Sequence, residues 1–144
     1  MTISKQLILE KMTISREYLL EAREIFNGMT NQEILQSKTH LHTLERYLQL
    51  IVDATLDINN HIIKEFQFEP AKDLKSTFSI LADNSILDKN FAQKISDVVG
   101  LRNLIVHQYE KVDNDKFLED FRKHNKDFDE YIKYITSYLT KTDK

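Results

Sequence analysis

Residues 30–70 read TNQEILQSKTHLHTLERYLQLIVDATLDINNHIIKEFQFEP, and this stretch decides the fold. Thr30 and Glu33 have the spacing of a capping box, in which each side chain answers a backbone N–H of the other and a helix begins. Downstream, Ile34, Leu41, Leu44, Leu48, Ile51, Ile58 and Ile62 recur at the spacing of one helical face. Neither glycine nor proline interrupts the run until Pro70, and the residue before it, Glu69, is disfavoured in the helical region. A long amphipathic helix follows, ending before Pro70.

The same pattern extends both ways. Upstream, Ile3, Leu7, Ile14, Tyr18, Ala22 and Ile25 predict a helix over about residues 3–27, with Gly28 as its C-terminal cap. Downstream, a shorter helix is expected around Ala71–Ala82, then a turn at Asp83-Asn84-Ser85. A fourth helix starts near Asp88 and runs through Phe91, Ile95, Val98 and Val99. Gly100 interrupts it at about 1 kcal/mol relative to alanine, a position for a kink or a close backbone approach. Asp113-Asn114-Asp115 breaks the chain again, and Phe117, Phe121, Phe128, Tyr131, Ile132, Ile135 and Leu139 form the last helix. With two glycines and one proline in 144 residues, the chain reads as all-α. The expected architecture is an antiparallel bundle of about five helices in a single domain, residues 1–144.

Composition narrows the function classes. The chain is 41% hydrophobic and 30% charged, which is globular. No stretch approaches the ~20 apolar residues of a membrane span, and Met1–Lys11 alternates apolar with charged residues, unlike a signal peptide. Cysteine is absent, which removes disulfides, thiolate metal sites and thiol catalysis. A cytoplasmic protein without membrane contact is expected. The net charge of −3 and pI near 5.9 argue against nucleic-acid binding by bulk electrostatics. Any such contact rests on a local site.

That site is sought in Gly100-Leu101-Arg102-Asn103-Leu104-Ile105-Val106-His107-Gln108-Tyr109. On a helix Asn103 and His107 share a face, as do Arg102 and Tyr109 two turns apart. Arg102 and His107 stand roughly 140° apart, so they converge only through the reach of the arginine, a distortion after Gly100, or a second copy of the chain. The set suffices for metal-free RNA cleavage. Histidine, titrating near neutrality, takes the proton of the ribose 2′-hydroxyl, while a bidentate arginine holds the charge of the phosphorane. Asn103 orients either group. The alternative is structural: a buried histidine and arginine that tie helices together.

Arg102-x4-His107-x-Tyr109, with Asn103 inside it, resembles the R-x4-H-x-Y signature of HepT toxins, the HEPN half of type VII HepT/MntA toxin–antitoxin pairs. Glu45-Arg46 and Asp57-Ile58-x2-His61 resemble a second pattern of that family, and length and helix order agree. Leu101 departs from the aromatic expected there in many relatives, a matter of packing. The resemblance implies a HEPN bundle that dimerises, with Arg102, His107 and Asn103 as the nuclease residues at a shared cleft. It also implies RNA as substrate, no cofactor, and an MntA-like minimal nucleotidyltransferase antitoxin that transfers AMP onto Tyr109. The phosphate added there would occupy the charge of Arg102. The competing reading is a non-catalytic helical subunit that binds such a nucleotidyltransferase or a nucleotide, and the acidic pI leans towards it.

Lesser signals remain. Asp53, Asp57 and His61 fall on one stripe of the second long helix. A divalent metal there is disfavoured, because bundle sites draw ligands from more than one helix. The preferred expectation is that the stripe lines the cleft of His107 and supports it. His40 and His42 lie on opposite sides of their helix and are expected at the surface. His124, beside Phe121 and Phe128, is expected half-buried in the core, and Tyr131, Tyr134 and Tyr138 form a packing stripe.

Overall fold

The structure is a computed structural model that describes residues 5–107 and 113–142, without the side chain of His107. Among the described residues there are eight helices: α1 (Lys5–Gly28), α2 (Asn31–Leu35), α3 (Lys38–Glu65), α4 (Ser76–Asp83), α5 (Lys89–Ser96), α6 (Val98–His107), α7 (Asn114–His124) and α8 (Lys126–Thr142). They correspond to five expected helices, three of which are split in two. No strand occurs among the described residues.

Each split has a local polar cause. The capping box opens α2, with Thr30 N–H donating to Glu33 Oε1 at 2.9 Å and Glu33 N–H to Thr30 Oγ1 at 3.1 Å. The helix then stops, because Ser37 takes an extended conformation and caps α3 by accepting the His40 N–H. The third helix begins at Ser76 rather than Ala71. Asp73 accepts the Ser76 N–H at 2.8 Å, which holds its carboxyl below the usual carboxylate range and fixes the start of the helix. The fourth helix starts next to Asp88, as expected, and Asp88 caps it by accepting the Phe91 N–H. The break that follows lies at Asp97, not at Gly100. Gly100 sits inside α6 with open space where a Cβ would stand, so neither a kink nor a close approach explains it. In the last segment Asn125 divides α7 from α8. Its amide nitrogen donates to the carbonyls of Phe121 and Arg122, while its oxygen accepts from Arg23 of α1.

The Gly28 cap is also corrected. No glycine has a positive φ, and α1 runs through Gly28. Its last carbonyls are taken instead by Arg122 of α7, which donates to Phe26 O at 2.7 Å and Met29 O at 2.8 Å. A charged donor from a distant helix has replaced the local glycine motif.

The central element is α3, packed against α1, α2, α4 and α6. The α1–α3 pair is antiparallel: Lys11 reaches Asp57 and Tyr18 stacks near Tyr47, so numbers rise in one helix as they fall in the other. Helix α8 runs the other way against α1, with Arg23 bound to Asp129. It therefore lies alongside α3, where Tyr131 meets Asn59 and Tyr138 meets Phe66 edge-on. The core between them is Leu19, Leu44, Leu48, Ile51, Ile58, Ile62, Phe78, Phe117 and Ile135. Inside it is one closed polar chain. Tyr131 donates to Asn59 and to Thr55 O, and Asn59 donates to Thr77 Oγ1 at 3.0 Å. Tyr131 and Tyr138 are packing residues, as their spacing suggested. Among the described residues no helix is long and apolar enough to cross a membrane.

Candidate functional site

Helix α6 packs against α3, and Val99 and Ile105 are its buried residues. Arg102 lies between them in sequence, three residues from each, so its backbone is pinned on both flanks. Its side chain emerges at the edge of the α3–α6 seam, 20% exposed. There Nε donates to Asp53 Oδ1 of α3 at 2.8 Å, and Nη1 donates to Asn103 Oδ1 at 3.1 Å. Two acceptors from two helices thus fix the plane of one guanidinium. Among the described residues the Nη2 N–H groups have no further hydrogen-bond partner, and a guanidinium N–H of this kind suits an oxyanion.

Of the residues singled out in the sequence, Arg102, Asn103 and Asp53 come together. His107 closes α6, but its side chain lies outside what the structure describes, as does Tyr109 altogether. Asn103, expected to orient the imidazole or a phosphate, spends its oxygen on Arg102. The three residues of the Asp53-Asp57-His61 stripe share no partner among the described residues, and the His107 side chain they were expected to support lies outside those residues. Asp57 turns to Lys11 Nζ of α1 at 2.9 Å, and His61 Nε2 is buried with no hydrogen-bond partner among the described residues. Among those residues no group of three or more histidines and carboxylates is placed to hold a metal.

The other histidines are accounted for. His40 Nδ1 lies 2.6 Å from Ser37 Oγ at the start of α3, half-buried rather than fully at the surface. His42 is exposed and pairs with the buried Glu45 at 2.8 Å. His124 is half-buried, but beside a cleft rather than in the core. That cleft, of about 450 Å³, lies between α5, α6, α7 and the start of α8 and is lined by Leu101, Leu104, Phe121 and Phe128. At its base is Asp127, a buried carboxylate 3.4 Å from both Lys94 Nζ and His124 Nδ1. This cluster was missed in the sequence, because Lys94 is 33 residues away from its partner and nothing local marks the pairing.

Residues 15–135 match the family described as "Ribonuclease HepT-like". The chain belongs to the HepT-like ribonuclease family. Two characterised relatives agree. An mRNA nuclease HepT of Shewanella oneidensis is 31% identical over 88 residues, 61% of this chain and 66% of that protein. A tRNA nuclease HepT of Aphanizomenon flos-aquae is 30% identical over 114 residues, 79% of this chain and 78% of that one. The fold is that of solved HEPN toxins. The tri-AMPylated Shewanella oneidensis HEPN toxin, solved in complex with an MNT antitoxin, superposes with a TM-score of 0.85 at 23% identity, over 93% of this chain and 99% of that one. YutE, a cytosolic protein of Bacillus subtilis, superposes with a TM-score of 0.79 at 20% identity, over 99% and 95% of the two chains.

Proposed function

We propose that this chain is a metal-independent endoribonuclease toxin that works as a homodimer and is neutralised by AMP transfer onto Tyr109 from an MntA-like nucleotidyltransferase. The observation that carries the reading is the guanidinium of Arg102, pinned at Nε by Asp53 and at Nη1 by Asn103, with no partner for Nη2 among the described residues. His107 takes the proton from a ribose 2′-hydroxyl. The freed oxygen attacks the adjacent phosphorus, the bond to the 5′-oxygen breaks, and that oxygen takes a proton from solvent water as it leaves, while the imidazolium later returns its own proton to solvent. Arg102 holds the charge that builds on the non-bridging oxygens between these events. An arginine and a histidine 140° apart on one helix meet most simply across a two-fold axis, where each copy supplies part of the cleft. Val106, one turn beyond Arg102 and 39% exposed, gives that face an apolar surface for a second copy. AMP on Tyr109 places a phosphate where the RNA phosphate would go.

The test is cleavage of single-stranded RNA by the purified chain, alone and after co-expression with its nucleotidyltransferase, with intact mass read in parallel. H107A and R102A should each lose about 100-fold or more in rate while melting near wild type. Cleavage should disappear as the mass rises in AMP steps. A stable complex with the nucleotidyltransferase but no cleavage in either state would favour the non-catalytic subunit, the reading towards which the acidic pI leans.

A further inference from the structure

We infer that Asp53 is a positioning residue for Arg102, holding the guanidinium in the orientation that transition-state phosphate requires. The inference rests on the nuclease reading above and adds to it a residue on another helix. Asp53 belongs to α3, the central helix, whose neighbouring residues Val52, Ala54, Thr55 and Leu56 are all buried. Its backbone therefore cannot drift. The carboxylate oxygen reaches across 49 positions of sequence to take the Arg102 Nε–H at 2.8 Å. One turn along, Asp57 ties the same helix to Lys11 of α1, so the exposed side of α3 is braced there as well.

The choice of Nε matters. A carboxylate facing the Nη1–Nη2 edge would consume the fork that binds phosphate bidentately. Held at Nε, and at Nη1 by Asn103, the guanidinium has one Nη2 N–H on the Asp53 side, parallel to Nε–H, and the other on the outer edge, turned away from Asp53. Two effects of Asp53 then oppose each other. Its negative charge beside the cation weakens attraction for any phosphate, in the ground state and the transition state alike. Its hydrogen bond removes rotamer freedom that the long arginine side chain would otherwise lose during the reaction. The first effect acts on ground and transition state alike, so it bears on binding, whereas the fixed orientation is realised as the phosphorane forms and bears on kcat.

This separates Asp53 from a residue that only holds the bundle together. D53N keeps the shape, weakens the hydrogen bond and removes the charge. For D53N we expect kcat on RNA to fall about 10- to 50-fold with KM within about 3-fold, as for loss of an interaction realised in the transition state. Binding of a 2′-O-methyl RNA, which cannot be cut, should be as tight as wild type or tighter. D53E should recover part of the rate. In an R102K background, whose ammonium has no Nε–H for Asp53 to hold, D53N should change kcat less than about 2-fold. Melting temperatures of all variants are read alongside.

Full-rate cleavage by D53N, beside an inactive R102A, would overturn the inference and leave the nuclease reading standing. So would a D53N loss of equal size in the R102K background, which would place Asp53 outside the action of Arg102. A wild-type chain that cleaves no RNA removes the nuclease reading itself, and this inference with it.

Discussion

Arg122 and Phe26 are joined twice: the guanidinium lies 4.7 Å from the centre of the phenyl ring, and its Nη1 donates to the carbonyl of the same residue at 2.7 Å. The ring of Phe26 is in turn edge-on to Phe121 in the core. One side chain of α7 thus closes the end of α1 and locks it to the fold.

R122A should therefore behave as the loss of a helix cap, a cation–π contact and several charge-assisted hydrogen bonds at once. A cost of about 2–4 kcal/mol is expected, with the carbonyls of buried Phe26 and half-buried Met29 left unanswered. Thermal denaturation by circular dichroism would show it as a fall of roughly 10 °C. A shift under about 2 °C would mean that water replaces the guanidinium at no cost.

Tyr131 is fully buried, and burial pushes its phenol well above the usual value of 10. The folded state thus holds a proton that the unfolded chain gives up near pH 10. Stability is fully present below that pH and declines as pH rises above it. Y131F leaves Asn59 without its donor and should cost about 1–2 kcal/mol at neutral pH. It should also flatten the alkaline decline. Melting curves between pH 8 and 11 test both, and an equal decline in Y131F would assign the alkaline loss to other groups.

At the other end of the pH scale, Glu33 is held below its usual value of 4.5 by the backbone and side chain of Thr30. Its contribution is present above that pH and is lost as pH falls through the depressed folded value. T30A should cost about 1 kcal/mol as an N-cap loss. E33Q should destabilise at pH 7 by less than T30A and lose less on acidification than wild type does. Equal acid sensitivity in both proteins would show that the box does not hold its charge in solution.

Val106 offers a check on assembly. Placed one turn from Arg102 and exposed, it should lie near the two-fold axis of the proposed dimer. V106D should shift the chain from dimer to monomer in light scattering and reduce RNA cleavage about 100-fold, while melting remains cooperative. A monomeric wild type with full activity would remove the second copy from the mechanism.

Much of this was written locally. The apolar period of residues 30–70, the Thr30–Glu33 box and the Asp88 and Asp113 caps are short-range physics, decided by side chains within a few residues of the backbone they serve. So the helical class, the five-part division and the helix bearing Arg102 and His107 were legible without coordinates. Boundaries were less so where two local signals competed: Ser37, Asp73 and Asn125 each drew backbone groups away from a helix that the apolar pattern would have continued.

What only the tertiary structure decided is which distant groups meet. Nothing in the sequence says that Asp53, rather than Asp57, takes the Nε–H of Arg102, or that Asp57 turns to α1 instead. Both lie on one stripe of α3, and their partners depend on which helix lies on which side. Arg122 likewise replaces the Gly28 cap because α7 ends beside α1. Periodicity fixes the face of a helix, since the repeat is a property of the backbone. The partner of that face is set by how helices pack, and packing balances all the buried surfaces at once.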